Sequence, residues 1–129
     1  MDPKIKKQWV KALRSGKYRQ GREVLKDNSR FCCLGVLCDL HRKKFNPKST
    51  WRRDEADKLC YLDKSDLLPP DVIKWACLEY RDPITKELLA TDDSKPRPQK
   101  LSELNDHEGE SRKDRYTFKK IADIIERDL

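Results

Sequence analysis

The chain has 129 residues, of which 41% are charged and 36% hydrophobic, with a formal net charge of +7 and five cysteines. This length predicts one domain, residues 1–129, and no run approaches the roughly 20 apolar residues of a membrane-spanning helix. The N-terminus lacks the apolar stretch of a signal peptide, and an odd number of cysteines disfavours a disulfide framework, so we expect a cytoplasmic protein with reduced thiols.

The first predicted element is a helix of about 12 residues, which begins at Asp2-Pro3 and ends at Ser15-Gly16. Its buried face is marked by apolar residues at helical spacing, namely Ile5, Trp9, Ala12 and Leu13. Residues 17–29 break this pattern. They suit a short strand or an extended segment, formed around Tyr18, Val24 and Leu25, that ends in the turn Asp27-Asn28-Ser29.

The run Phe31–Leu40 is nearly free of charge, and we expect it at the centre of the fold, because an exposed apolar patch of this size would be unusual. A helix over Phe31–His41, capped by residue 28 or 29, would bring its apolar residues to one face. Gly35 would then mark a close helix–helix contact. A buried strand over Cys32–Leu37 is the alternative that the same run allows.

The middle of the chain predicts shorter elements. Residues 42–57 are basic and polar, with a turn at Asn46-Pro47, and residues 59–62 suit a short strand. A third helix opens at residues 67–70 and stops at Asp82-Pro83. Residues 84–90 fit a hairpin arm, and residues 92–98 a loop that contains two prolines.

The last part of the chain predicts two more helices. Leu101 and Leu104 mark a short helical segment that ends at Asn105-Asp106, and residues 109–115 form a charged loop. Thr117 caps the final helix, whose apolar face consists of Phe118, Ile121, Ala122, Ile125 and Leu129. The sequence therefore predicts an α+β fold, a helix-dominated single domain with four or five helices and a small sheet or hairpin.

Positive charge is concentrated in the first part of the chain. Residues 1–53 contain 16 Lys and Arg against 4 Asp and Glu, a balance of +12, whereas residues 54–129 have a balance of −5. This asymmetry favours a partner with negative charge. Two complementary parts of one domain, or two complementary subunits, would show the same asymmetry.

The glycine-punctuated stretch 14–22 is the strongest candidate site. Its cations match phosphate, its tyrosine offers a stacking face, and its glycines allow close approach of the backbone. A solvated basic connection, with Tyr18 packed on Trp9, is the simpler interpretation. Asn105-Asp106 is the best-placed polar pair, although capping is its more usual role. The candidate ligand-binding residues are Arg14, Ser15, Lys17, Tyr18, Arg19, Gln20, Gly21, Arg22, Trp51, Asn105 and Asp106.

Other chemistry has weaker support. Cys38 and His41 have the spacing of two zinc ligands on a helix, but no second pair of ligands repeats that spacing. Cys32 or Cys33 would need a partly exposed thiolate to act as a nucleophile. A basic first half could neutralise phosphates of a nucleic acid, but no recognised binding signature is present. We therefore expect no catalytic residue, no metal and no cofactor.

Several blocks, which together cover most of the chain, occur in a recognisable order. They include ALRSGxYxQG at residues 12–21, FCCLGVLCDL at 31–40, LND at 104–106 and TFxxIADII at 117–125, and the first two are the specific ones. Their order resembles a family of small, mainly uncharacterised proteins of bacteriophages and prophages. This resemblance implies a viral origin and action in the cytoplasm of a host cell. Small phage proteins often act against host defence, and some of them sequester nucleotide immune signals.

We therefore expect a phage accessory (anti-defence) protein that binds and sequesters a small phosphate-bearing ligand, such as a nucleotide immune signal, without catalysis. Binders of this kind commonly form their pocket between subunits, which predicts a homo-oligomer. The lack of an apolar run long enough to cross a bilayer predicts no membrane partner. One alternative is a protein-interaction module that inhibits an acidic or nucleic-acid-binding host defence protein. A second alternative is a nucleic-acid-binding protein.

Overall fold

The computed structural model describes residues 1–89, 95–109 and 111–129, which form an α+β domain, as predicted. It consists of helices and three small sheets. The helices are α1 (Pro3–Arg14), α2 (Cys33–Phe45), α3 (Pro70–Ala76), α4 (Leu101–Asp106) and α5 (Phe118–Asp128). The strands are β1 (Arg19–Gln20), β2 (Lys26–Asp27), β3 (Arg30–Phe31), β4 (Arg52–Arg53), β5 (Leu59–Cys60), β6 (Ile84–Leu89) and β7 (Arg97–Lys100).

Each of the three sheets is small, with only two or three paired residues between neighbouring strands. In the first sheet β3 lies in the middle, parallel to β1 and antiparallel to β2. The second sheet pairs β4 with β5, and the third pairs β6 with β7, both antiparallel. Because most strands have two residues, the helices provide most of the buried surface, and the sheets mainly fix the direction of the chain between them.

Helix α1 has the predicted bounds. The carboxylate of Asp2 accepts hydrogen bonds from the backbone N–H groups of Lys4 and Ile5, and thereby caps the helix. Trp9, fully buried, donates its indole N–H to the carbonyl of Cys33 over 2.9 Å. This bond and the apolar face of α1 fix the helix against α2, while α1 also packs along α5.

The central run forms a helix, so the strand alternative over Cys32–Leu37 is wrong. The predicted cap is also wrong, because Cys32 is the N-cap and its Sγ accepts from the N–H of Gly35 at 3.4 Å. Asn28 instead has a φ of 52° in the turn between β2 and β3. Arg30-Phe31 forms strand β3, which pairs with β1 on one side and β2 on the other, so α2 begins only at Cys33. The helix continues to Phe45, beyond His41.

Gly35 does mark a close contact, but its neighbour is not another helix. A Cβ atom at this position would overlap the carbonyl group of Leu25, which lies just before β2. The Leu25 carbonyl also accepts a hydrogen bond from the N–H of Cys32, so its position is fixed. The absence of a side chain at Gly35 therefore sets how closely α2 approaches the first sheet.

Other boundaries differ from the predicted ones. Helix α3 ends at Ala76, well before Asp82-Pro83, because Cys77 adopts a left-handed conformation with a φ of 54°. Residues 26–27, rather than Val24 and Leu25, form a strand. Of the predicted loop 92–98, residues 97–98 belong to β7, and residues 92–94 lie outside the described residues.

The predicted hairpin arm is strand β6, apart from residue 90, which the description does not include. The charged segment 109–115, in which residue 110 is likewise not described, contains a short 3-10 helix at Arg112–Asp114. The short helix before it and the last helix are confirmed as α4 and α5, and Thr117 caps α5 through its side chain.

The core is formed by all five helices and the segments that join them. Its largest fully buried side chains are Trp9, Leu25, Leu34, Leu37, Leu68, Leu101, Leu104, Ile121 and Ile125. Of the helices described, none has the length and apolar character needed to cross a membrane. The buried face of α5 packs against α1, so the first and last helices complete one core.

We predict that Gly35→Ala lowers the free energy of unfolding by about 1–3 kcal/mol, because the new methyl group must displace the backbone at Leu25. Helix propensity alone would favour alanine by roughly 1 kcal/mol, so the sign of the change separates the two effects. Urea unfolding measures it. Lys44→Ala, at an exposed position of the same helix, serves as the control. A stabilised Gly35→Ala variant would contradict the close contact.

Candidate functional site

The predicted site residues are distributed over three places, of which one is a cleft of about 650 Å³. We call it the arginine cleft. It lies between the first sheet and the start of α5, and it is lined by Gln20, Gly21, Arg22, Glu23, Asp27, Arg30, Arg115, Tyr116 and Thr117. Three of the predicted residues, Gln20, Gly21 and Arg22, therefore line the same cavity.

The cations of the arginine cleft differ in their partners. Arg22 forms an ion pair with Glu108, with 3.0 Å between Nη1 and Oε1. Arg30 and Arg115 form no ion pair with any residue in the described ranges. Arg19 on β1 lies in register beside Arg30 on β3, so two like charges are neighbours on the first sheet. The cleft thus contains two guanidinium groups, those of Arg30 and Arg115, that no carboxylate of the described residues binds directly, although Glu23 and Asp27 lie in the same lining.

The position of β1 in the cleft is fixed by the side chain of Asn105, of which only 1% is exposed. Its amide N–H groups donate to the Gly21 carbonyl at 2.9 Å and to Asp106 at 3.1 Å. Its oxygen accepts from the side chain of Gln20 and from the N–H of Cys33, both at 3.1 Å. Because these four bonds use the whole hydrogen-bonding capacity of the amide, Asn105 is positioned to support the cleft.

Three more of the predicted site residues form hydrogen bonds that hold the cleft together, namely Gln20, Gly21 and Asp106. The Gln20 amide also donates to the Tyr116 carbonyl at 2.9 Å, which joins β1 to the start of α5. The N–H of Gly21 donates to the Phe31 carbonyl at 2.7 Å, so it is not free for a ligand. Asp106 accepts from the N–H of Glu23 at 2.9 Å. The carbonyl oxygen of the Gln20 side chain has no hydrogen bond within the described structure and remains available.

Tyr116 contributes an aromatic wall to the arginine cleft. Its hydroxyl donates to Glu87 at 3.1 Å, and its ring lies against His107. Burial and the negative charge of Glu87 raise the pKa of the Tyr116 hydroxyl. The phenol therefore stays neutral, and its ring has a fixed orientation.

The structure does not bring Arg14 to this cleft. Its guanidinium binds Asp123 at 2.6 Å and Glu126 at 2.9 Å, and these hydrogen bonds raise its pKa. Ser15 donates its hydroxyl to the Ala12 carbonyl at 2.6 Å and caps the end of α1. Lys17 is exposed and does not line the arginine cleft. Arg14 thus joins α1 to α5, and Ser15 completes the end of α1.

Tyr18 and Trp51 lie together at a second place, around the buried carboxylate of Asp39. The Tyr18 hydroxyl donates to Asp39 at 2.8 Å and the Trp51 indole at 3.1 Å. Both rings also contact the edge or face of Phe31, with centroid distances of 5.0 and 6.0 Å. Their polar atoms are thus bonded to Asp39 and their rings pack on Phe31, and Trp51 also lines a small cavity of about 260 Å³ that is separate from the arginine cleft.

Asp39 is ionised despite its burial. Burial alone would raise the pKa of this carboxyl, but hydrogen bonds from Arg42, Tyr18 and Trp51 outweigh it and lower the pKa below the ordinary value of 3.8. The Arg42 Nε lies 2.8 Å from the carboxylate. Burial, together with the Asp39 charge, raises the pKa of Tyr18. The charge of Asp39 is therefore satisfied by neighbours from α2 and from two loops.

The cysteines of α2 are buried and poorly suited to nucleophilic chemistry. Burial raises the pKa of Cys32 to about 12 and raises the pKa of Cys33 and Cys38 well above the ordinary value. His41 is also buried, which lowers its pKa, and its Nδ1 lies 2.5 Å from the Tyr61 hydroxyl. In the parts of the chain that are described, no three His, Cys, Asp or Glu residues are grouped as metal ligands.

The sequence pattern did not indicate Arg30, Arg115 or Tyr116 as residues of the cleft. Arg30 follows a turn, and Arg115 lies in a segment that was predicted only as a charged loop. Neither position has a local pattern that indicates a site. They meet because β3 pairs with β1 and because Gln20 bonds to the backbone at Tyr116. The sequence offered one indication of these two residues. Each is an arginine next to a predicted element boundary, where side chains are often exposed to ligands.

We predict that Asp39→Asn lowers the free energy of unfolding at pH 7 by about 1.5–3 kcal/mol, since an amide cannot accept the same charged hydrogen bonds. The folded-state pKa of Asp39 is lowered, so its contribution is complete above 3.8 and is lost as the pH falls through the folded-state value. The difference between wild type and variant should therefore shrink in acid.

Urea unfolding of both proteins between pH 7 and pH 3 measures this difference. Asp63→Asn, which changes an exposed carboxylate, is the control and should stay within about 0.5 kcal/mol of wild type. A gap between wild type and Asp39→Asn that is constant over this pH range would contradict the assigned role of the carboxylate.

A comparison with known families provides the context for this geometry. A family model described as "Domain of unknown function (DUF8296)" matches residues 1–129. No match was found among curated proteins or among solved structures. The match covers the whole chain, including every residue of the arginine cleft. The chain therefore belongs to the DUF8296 family.

Proposed function

We propose that this protein binds a small phosphate-bearing ligand, such as a nucleotide, in the arginine cleft and sequesters it without chemical change. The observation that carries the proposal is the pair of arginines, Arg30 and Arg115, that line one cavity without an ion-pair partner among the described residues. Guanidinium groups bind phosphate oxygens through paired, charge-assisted hydrogen bonds. Arg22 adds a third guanidinium, which a phosphate could share with Glu108.

The electrostatics of the first sheet support an anionic ligand. Arg19 and Arg30 are cross-strand neighbours, and like charges in such positions destabilise a sheet. A phosphate bound beside them would offset this repulsion. Binding would therefore stabilise the pairing of β1 with β3 as well as neutralise the cleft.

The size and the acidic residues of the cleft favour a compact ligand over a long polyanion. A volume of about 650 Å³ lies within the roughly 300–1,000 Å³ of ordinary small-molecule sites. Glu23 and Asp27 also line the cleft. Their carboxylates would repel a continuous phosphate backbone, but they can accept hydrogen bonds from sugar hydroxyls or amino groups. The free side-chain carbonyl of Gln20 is a third acceptor, and Tyr116 supplies an aromatic wall.

The biological role follows from the sequence resemblance alone. As a phage accessory protein in the host cytoplasm, a binder of this kind would withdraw a nucleotide signal from a host defence pathway. Sequestration needs affinity and no turnover, and it requires none of the thiols of α2, whose pKa values are raised by burial.

A thermal-shift screen tests the proposal. The purified protein is heated with mononucleotides, cyclic di- and trinucleotides and ADP-ribose derivatives. A ligand at 100 times its Kd stabilises the folded state by about 2.7 kcal/mol, which raises Tm by several degrees. We expect one class of these compounds to do so.

The double variant Arg30→Ala, Arg115→Ala should lose most of that shift, because it removes the two unpaired guanidinium groups. The matched control is Arg52→Ala, Arg81→Ala, which removes the same charge from exposed positions outside the cleft. It should respond like wild type. The proposal fails if none of the compounds raises Tm, or if the cleft variant responds as fully as the control.

A further inference from the structure

A second cavity, distinct from the arginine cleft, lies along the surface of α1 and reaches Glu126 of α5. It is a groove of about 750 Å³, and we call it the lysine groove. Its lining consists of Pro3, Lys6, Lys7, Val10, Lys11 and Arg14, with Ser15 and Glu126 at one end. The groove contains no residue of the arginine cleft, so an inference about it does not depend on the proposed function.

The walls of the lysine groove are mainly apolar. Val10 is 5% exposed and forms part of the floor, and Pro3 contributes a ring at the start of α1. Lys6, Lys7 and Lys11 line the groove as well, and a lysine side chain has a four-carbon aliphatic stem below its ammonium group. An apolar side chain of a partner could therefore lie between these stems.

The charges around the groove are unbalanced. Lys6, Lys7 and Lys11 take part in no ion pair or side-chain hydrogen bond within residues 1–89, 95–109 and 111–129. The one acidic residue of the lining, Glu126, is already paired with Arg14 at 2.9 Å. The apolar walls are thus bordered by three positive charges that the described chain leaves uncompensated.

The groove also has a firm support. The Asp2 side chain caps α1, the Trp9 indole bonds to Cys33, and Arg14 is fixed by two carboxylates of α5. Both ends and the middle of α1 are therefore held in place. A partner would meet a surface that is already formed and would not need to order it.

We propose that the lysine groove docks an acidic amphipathic segment of a partner protein. Its apolar side chains would lie along the aliphatic stems and Val10, and its carboxylates would pair with Lys6, Lys7 and Lys11. The basic border complements the acidic side chains, and the apolar walls complement the apolar face. A free phosphate or a nucleic acid backbone would satisfy the lysines but leave the apolar walls unfilled.

A second copy of this chain fits the groove less well. Of the described helices, α5 carries acidic side chains on its exposed side, Asp123 and Glu126, but its apolar face is already buried in its own core. The acidic segment 54–66 is largely exposed and lacks an amphipathic helix. A heterologous partner therefore matches the groove better than self-association does.

Fluorescence anisotropy with designed peptides tests the proposal. The probe is a labelled peptide about four helical turns long, with leucines every three or four positions and glutamates between them. One comparison peptide has the same composition in scrambled order, and another has alanine in place of leucine. We expect the ordered peptide to bind most tightly, by about tenfold or more, since only it presents apolar and acidic groups on the required faces.

The groove variant Lys7→Gln, Lys11→Gln should weaken binding of the ordered peptide by about three- to tenfold. The matched control Lys48→Gln, Lys119→Gln loses the same charge at exposed positions elsewhere and should bind like wild type. Circular dichroism verifies that all variants are folded. Glutamine retains most of the side chain, so the substitution tests the charge while largely preserving the walls.

Three results would overturn the proposal. The first is equal weakening by the groove variant and the control, which would mean attraction by net charge alone. The second is that the ordered peptide binds no better than the scrambled one, or does not bind. The third is a wild-type dimer in sedimentation that dissociates in the groove variant, since a second copy would then occupy the groove.

Discussion

The buried amide of Asn105 is the interaction on which the arrangement of the site depends. It joins the short helix α4 to the Gln20 side chain of β1, to the carbonyl of Gly21 directly after it and to the first turn of α2, three segments that are far apart in the sequence. A side chain with fewer donors or acceptors would leave at least one buried backbone group without a partner, at a cost of about 1–3 kcal/mol. Asn105 thus gives the arginine cleft a fixed base although it lines none of its surface.

The charged side chains of this protein fall into two groups. Those that join elements are paired, such as Arg14 with α5 and Arg42 with Asp39. Others border cavities without an ion-pair partner in the described part of the chain, namely Arg30, Arg115 and the lysines Lys6, Lys7 and Lys11, although Arg14 and Arg22 line the same cavities and are paired. Two cavities of this protein are therefore bordered by cations that the described residues do not bind directly, and a ligand or partner with negative charge would complement both.

Elements that depend on local chemistry could be predicted from the sequence. Caps and apolar spacing gave α1 and α5 correctly, and the charge-free run indicated the central helix. The two-residue strands depend on pairing between distant residues, so no local pattern indicates them. For the same reason the hydrogen bonds of Tyr18 and Trp51 have no local signal in the sequence. Their real partner, Asp39, lies 21 and 12 residues away, and only the folded chain shows that it has already engaged both.

The packing of α1 against α5 has a consequence for the order of folding. The apolar residues Ile5 and Leu13 of the first helix become buried in a core that the last helix completes. Contacts between such distant segments close a long loop, which slows folding relative to a chain with mainly local contacts. During synthesis the face of α1 that packs on α5 can be covered only after that eleven-residue helix has been made, so α1 cannot reach its final packing when it first forms.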